Sequence, residues 1–167
     1  MVIMFAGKAG AGKDTVATIV RHIFPEAKQF AFATRVKRTA YVCGWDGAKD
    51  EKGRKLLQDI GKAGRTYDKD IWAKYCVDEI KSSSVRFALI TDLRFRNELE
   101  VVKARYQDAK VVLIKGRQAD LGRNANDVSE HALDEFTEYD YVIDNSGSEE
   151  NLRANVKQML AAFGLLF

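Results

Sequence analysis

Met1-Val2-Ile3-Met4-Phe5-Ala6-Gly7-Lys8-Ala9-Gly10-Ala11-Gly12-Lys13-Asp14-Thr15-Val16 is the stretch on which the fold turns. Six apolar residues make a buried strand, and Val16, Ile19, Val20 and Ile23 then recur at helical spacing. Between strand and helix lies Gly7-x-x-x-x-Gly12-Lys13, the first seven positions of a phosphate-binding loop in the context such a loop requires. Glycines let the backbone curl so that its N–H groups face phosphate oxygens, the helix N-terminus adds partial positive charge, and Lys13 reaches the outer phosphates. Gly7, Lys8, Ala9, Gly10, Ala11, Gly12, Lys13, Asp14 and Thr15 are therefore expected to bind a polyphosphate.

The eighth position carries Asp14 where Ser or Thr is usual, and a hydroxyl follows at Thr15. A carboxylate this close to phosphates calls for an intervening Mg²⁺ or its waters, so Asp14 is a candidate metal residue. The alternative is that it only caps the helix.

Working outward, Lys28 to Ala33, Val85 to Thr91, Lys110 to Lys115 and Tyr139 to Ile143 read as further strands. Helices are expected from about Thr34 to Cys43, Arg54 to Ile60, Lys69 to Lys81, Asn97 to Tyr106 and Glu149 to Phe163, with Gly61 and Gly64 separating the second from the third. Pro25 closes the first helix. The alternation implies an α/β three-layer sandwich with a mainly parallel sheet of five strands. The 167 residues fit one domain, with a lid segment at about 116–130 in the polar stretch before the last strand.

Composition narrows the function classes. Hydrophobic residues at 46% and charged residues at 31% are globular values, and the net charge of +3 with acids interspersed speaks against a nucleic-acid binder. Apolar runs fall well short of the roughly 20 residues that cross a bilayer. The N-terminal run lacks a basic leader and ends in glycines and lysines, so a cytoplasmic location is expected. Cys43 and Cys76 lack C-x-x-C spacing and read as free thiols, and with only His22 and His131 a zinc site is not expected.

Thr91-Asp92-Leu93-Arg94-Phe95-Arg96-Asn97-Glu98 begins where a strand ends, the edge at which open α/β sheets gather ligands. Asp92 there has the position of an acid that receives magnesium-bound water or a substrate hydrogen bond, and Arg94 offers a planar fork for phosphate. Capping of the next helix is the plainer alternative for Asp92. Arg35, Lys37, Arg65, Arg117 and Arg123 follow successive strands or turns, as expected of cations that align two phosphate compounds. Trp72, Tyr75 and Phe95 are aromatic enough to stack on a base, although helical spacing favours the core for Trp72.

These elements together resemble the deoxynucleoside monophosphate kinases of bacteriophage type, within the P-loop kinase superfamily. The resemblance spans most of the chain. Gly12-Lys13-Asp14-Thr15-Val16-Ala17 is similar to that family's loop, in which Asp follows the lysine. Phe30-Ala31-Phe32-Ala33 with Lys37, Leu57-Gln58-x-x-Gly61 leading to Arg65 and Asp70-Ile71-Trp72, the Asp92 to Glu98 element, Ser129-Glu130 and Asp144-Asn145-Ser146-Gly147 match its later parts. Asp127 stands where the family usually has His, and His131 follows the Ser-Glu pair instead.

Carried onto these residues, the resemblance implies a P-loop nucleotide-kinase fold, with ATP on Lys13 and the loop amides and Mg²⁺ positioned by Asp14 and Asp92. Arg65 and Arg94 then grip the acceptor phosphate, and Arg117 with Arg123 closes over the transferring group. Arg35, Lys37, Asp70, Trp72, Asp92, Phe95, Asn97 and Glu130 line the acceptor. The implied reaction is ATP + dNMP → ADP + dNDP in a cytoplasm, that of a host if the chain is phage-encoded, with small nucleotides as partners and a homodimer left open. Kinases of other small phosphorylated metabolites, some of which share the Asp after the lysine, and a non-catalytic ATP-binding regulator are the rivals. A GTPase is disfavoured because no Asn-Lys-x-Asp stretch occurs.

Overall fold

The computed structural model describes residues 1–116, 133 and 135–166. Five strands, β1 (Val2–Ala6), β2 (Lys28–Phe30), β3 (Ala88–Leu93), β4 (Lys110–Lys115) and β5 (Tyr141–Asp144), form one sheet in the order β2-β3-β1-β4-β5. Every pairing is parallel. Six helices are described: α1 (Lys13–Ile23), α2 (Ala33–Val42), α3 (Glu51–Tyr67), α4 (Ile71–Ser83), α5 (Arg96–Arg105) and α6 (Glu149–Ala162).

All five residues of β1 are buried, because the strand lies at the centre of a sheet covered on both faces. Its side chains alternate between two cores. Val2, Met4 and Ala6 join Phe30, Phe32, Cys76, Ile80, Ile90, Leu99 and Val102 beneath α4 and α5. Ile3 and Phe5 join Val16, Val20, Leu89, Ile143, Leu152, Val156 and Leu160 beneath α1 and α6. The three layers expected from the sequence are thereby present, with β1 delivering the loop at the point where the sheet order diverges to β3 on one side and β4 on the other.

Several boundaries differ from the sequence expectation. β2 stops at Phe30, because Phe32 and Ala33 already donate their N–H groups to Asp92 and start α2. β3 runs on to Leu93. α3 starts early, where Asp50 accepts the N–H of Gly53 as its cap.

The largest difference is that α3 passes straight through Gly61 and Gly64. These glycines are an opening for Trp72 and break nothing. A Cβ on Gly64 would lie 2.2 Å from Trp72 Cζ2, and the indole N–H donates to the carbonyl of Gly61 at 3.0 Å. Cys43 and Cys76 are both free, the first exposed and the second buried. Among the described residues no helix is long and apolar enough to cross a membrane.

Candidate active site

The loop after β1 is shaped by its glycines. Gly7, Gly10 and Gly12 adopt φ of 143°, 78° and 98°, conformations costly for any residue with a Cβ. Two of them are also closely approached from behind. A Cβ on Gly7 would lie 2.5 Å from the carbonyl oxygen of Ile114 at the end of β4, and one on Gly12 would lie 2.3 Å from Asn145 Nδ2. Asn145, buried just after β5, donates to the carbonyl of Ala11 at 2.8 Å and so fastens the loop to the sheet. Lys13 Nζ bends back over the loop and donates to the carbonyls of Gly7 at 2.6 Å and Lys8 at 2.9 Å. The result is a rigid, cation-bearing backbone arc at the positive end of α1.

Asp14 and Thr15 lie exposed on the first turn of α1. Asp14 Oδ1 accepts from Gln29 Nε2 at 2.6 Å, and the same nitrogen reaches Thr91 Oγ1 at 3.1 Å. Gln29, which nothing in the local sequence marks out, thus ties the loop carboxylate to β2 and β3. The two exposed oxygen-bearing side chains suit a hard cation such as Mg²⁺. No group of three His, Cys, Asp or Glu among the described residues forms a cage of its own. A Mg²⁺ here fits as an ion brought by phosphates and completed by Asp14, Thr15 and water.

At the end of β3 the side chains take different tasks. Asp92 accepts the N–H of Phe32 at 2.8 Å and of Ala33 at 2.9 Å, one on each carboxylate oxygen. In this structure the Asp92 carboxylate, expected from the sequence to position a metal, holds the N-terminus of α2. Burial pushes its pKa up, opposed by those two N–H groups and by the charges of Arg94 and Lys37.

Glu98 is buried and accepts the N–H of both Arg94 and Phe95 at 2.9 Å. Burial pushes its pKa up to about 8, against the backbone bond from Arg94. The guanidinium of Arg65 lies 4.9 Å from the centre of the Phe95 ring. Asn97 Nδ2 donates to the carbonyl of Lys69 at 2.8 Å and to Asp70 Oδ1 at 3.0 Å, joining the start of α5 to the start of α4.

Of the residues expected at the site, Asp70, Asp92, Arg94, Phe95, Asn97 and Arg65 are brought into one neighbourhood, with Lys37 near enough to act on Asp92. Arg94 also lines a cleft of about 610 Å³ with Gly7, Lys8 and Lys115.

Two residues expected at the acceptor are engaged elsewhere in this structure. Trp72 is 8% exposed with its indole N–H engaged, a strut between α3 and α4, as its helical spacing favours. Arg35 lies over the Tyr75 ring at 4.7 Å and lines a separate groove of about 290 Å³ with Arg38 and Glu79. Arg117, Arg123 and Glu130 lie outside the described residues, as does the expected lid beyond Gly116.

Neither a family model nor a curated protein sequence matches the chain. Solved structures do. A shikimate kinase from Bacteroides thetaiotaomicron is 15% identical over 99% of both chains, with a TM-score of 0.53. A shikimate kinase from Aquifex aeolicus is 15% identical over 98% of this chain and 96% of its own, at 0.52. The Mycobacterium tuberculosis APS kinase CysC, solved with AMPPNP and APS, is 13% identical over 98% of this chain and 96% of its own, also at 0.52. The fold is that of the P-loop kinases.

Proposed function

We propose that the chain transfers the γ-phosphoryl group of ATP to a deoxynucleoside monophosphate, giving ADP and a deoxynucleoside diphosphate. The observation that carries this reading is the grouping at the end of β3: Arg94, and the Phe95 ring with Arg65 upon it, stand beside the strand that ends in the phosphate loop. Two guanidinium groups and a ring match a ligand that is an anion at one end and a flat base at the other.

In this reading Lys13 and the loop amides hold the polyphosphate, while Arg94 and Arg65 receive the acceptor phosphate from the opposite side. Mg²⁺ held with Asp14 and Thr15 supplies charge neutralisation on the donor phosphates. No general base is required, because a phosphate monoester with a second pKa of about 6 is already largely ionised at neutral pH. The protein's contribution is alignment of donor and acceptor and neutralisation of charge between them. Arg117 and Arg123 complete the proposal as residues that close over the transferring group, and Glu130 as one that lines the acceptor.

A second reading, a kinase of another small metabolite, is favoured by the shikimate and APS kinases among the structures that share the fold. One assay separates the two: ADP formation from ATP and Mg²⁺ with each deoxynucleoside and ribonucleoside monophosphate, shikimate or APS, beside a no-acceptor control. Stimulation of about tenfold or more by one or several deoxynucleotides, equivalent to about 1.4 kcal/mol, is the expected result. Stimulation by shikimate or APS alone favours the second reading. ATP binding with no acceptor-dependent turnover leaves the regulator.

A further inference from the structure

The turn that ends β3 hangs from one carboxyl oxygen. Glu98 is 8% exposed, and its Oε2 accepts the backbone N–H of Arg94 and of Phe95, each at 2.9 Å. Capping of a helix by a glutamate in its first turn is ordinary. Here, however, the two capped residues are ones that the proposed function assigns to the acceptor. Arg94 is fixed by its own amide. Phe95 is fixed likewise, and its ring bears the Arg65 guanidinium at 4.9 Å, so Arg65, thirty-three positions before Glu98 in the chain, is seated by the same oxygen through the ring. The ionic surroundings of Glu98 are Asp92 from β3 and Arg65 from α3.

We propose that Glu98 is a positioning residue that sets Arg94 and Arg65 together for the acceptor phosphate. It touches no substrate and acts only through the turn. This rests on the acceptor assignment made above. Misplacement of a gripping group by about 1 Å costs on the order of 100-fold, and the turn loses its anchor once two partly buried N–H groups lose their partner.

Glu98→Gln keeps an oxygen able to accept both N–H groups, and Glu98→Ala removes it. With the best acceptor found in the panel, Glu98→Ala is expected to raise the acceptor KM by about 10- to 100-fold and leave the ATP KM within about threefold. Glu98→Gln is expected to keep both within about threefold of the parent protein. Amide exchange at Arg94 and Phe95, followed by NMR without any ligand, should accelerate in Glu98→Ala and stay slow in Glu98→Gln. Glu98→Asp, which withdraws the carboxyl by one methylene, takes the place of Glu98→Ala if that variant does not fold.

The proposal is overturned if both KM values rise in step, or if the two amides are released while the acceptor KM is unchanged. Absence of turnover with any nucleotide would defeat the functional reading alone. The positioning role is then read with inorganic phosphate, following the Arg94 and Phe95 amide signals. Phosphate binding lost in Glu98→Ala and retained in Glu98→Gln supports it, and equal binding by all three proteins overturns it.

Discussion

The two sides of the site are built by different means. The phosphate loop is made of backbone: three glycines at positive φ, walls supplied by Ile114 and Asn145, and one lysine folded across the arc. The side assigned by the proposed function to the acceptor is made of side chains that hold other elements in place. Asp92 fixes α2, Glu98 fixes the turn after β3, Asn97 and Asp70 join α5 to α4, and Arg65 rests on Phe95. A backbone arc is specific for phosphate and indifferent to what the phosphate belongs to, whereas a lattice of side chains can be altered piecewise to change what is accepted. Substitutions on the two sides should therefore fail in different ways.

The largest effect is expected on the loop side. Lys13→Ala should cost little in melting temperature, since the ammonium's bonds to the Gly7 and Lys8 carbonyls lie within the loop itself, and reduce kcat by at least 10²- to 10³-fold, the usual loss of one charged donor to a developing anion. Steady-state ADP formation and a thermal melt on one preparation check both halves, and substantial remaining activity would remove Lys13 from the donor site.

Next in size is the acceptor side. Arg94→Ala should raise the acceptor KM by about 10- to 100-fold, the cost of about 1.5 to 3 kcal/mol for a charge-assisted bond, while the ATP KM stays within about threefold. Equal losses for the two substrates would erase the distinction between donor and acceptor sides.

A smaller effect concerns stability and pH. Burial raises the proton affinity of Glu98 to about 8 in the folded state, above its ordinary value near 4.5, so the folded protein binds more protons than the unfolded chain between those limits. Stability should accordingly fall as pH rises through that window, with a slope from this group of at most about 1.4 kcal/mol per pH unit, and level off above it. Asp92, also shifted upward, adds in the same direction. Asp68 and Asp144, shifted downward, act below pH 4 with the opposite sign. Urea melts from pH 5 to 9 should show a shallower decline for Glu98→Gln than for the parent protein, and identical slopes would mean that Glu98 is ionised throughout.

The same contrast explains what the sequence discloses. The loop is legible because its determinants are contiguous and its strand and helix flank it directly. Four strands follow from apolar runs, for the same local reason, and the parallel arrangement from the alternation of strands with helices, whereas β2 is the short Lys28-Gln29-Phe30. The acceptor side is legible as a set of residues but not as a set of tasks, because each task depends on a distant partner. Asp92 reads as a metal acid, and its hold on the amides of Phe32 and Ala33, about sixty residues earlier, is invisible in the sequence. Asn145 lies 134 positions from the Ala11 carbonyl it fastens, and Gln29 carries no motif at all. Arg35 follows a strand as a substrate cation would, yet Tyr75 on α4 draws it to another groove.

Gly64 shows how the error arises and permits the finest test. In an exposed helix interior, replacing Gly by Ala stabilises by about 1 kcal/mol through the unfolded chain and the better propensity. A reading of Gly64 as a helix break predicts no gain and no clash. The structure predicts a clash, because the new methyl would stand 2.2 Å from Trp72 Cζ2 and 2.6 Å from Cε2, both atoms of a rigid ring whose N–H is held by Gly61. The indole has no flexible end to yield, so α3 and α4 must separate. Overpacking of this kind costs about 1 to 3 kcal/mol, which outweighs the propensity gain, so Gly64→Ala should be destabilising by roughly 1 kcal/mol or slightly more. Because α3 carries Arg65 one residue further on, the acceptor KM should rise modestly as well, while the loop on the far side of β1 keeps its ATP KM. A stabilised Gly64→Ala protein would mean that Trp72 does not pack against Gly64 as the structure has it.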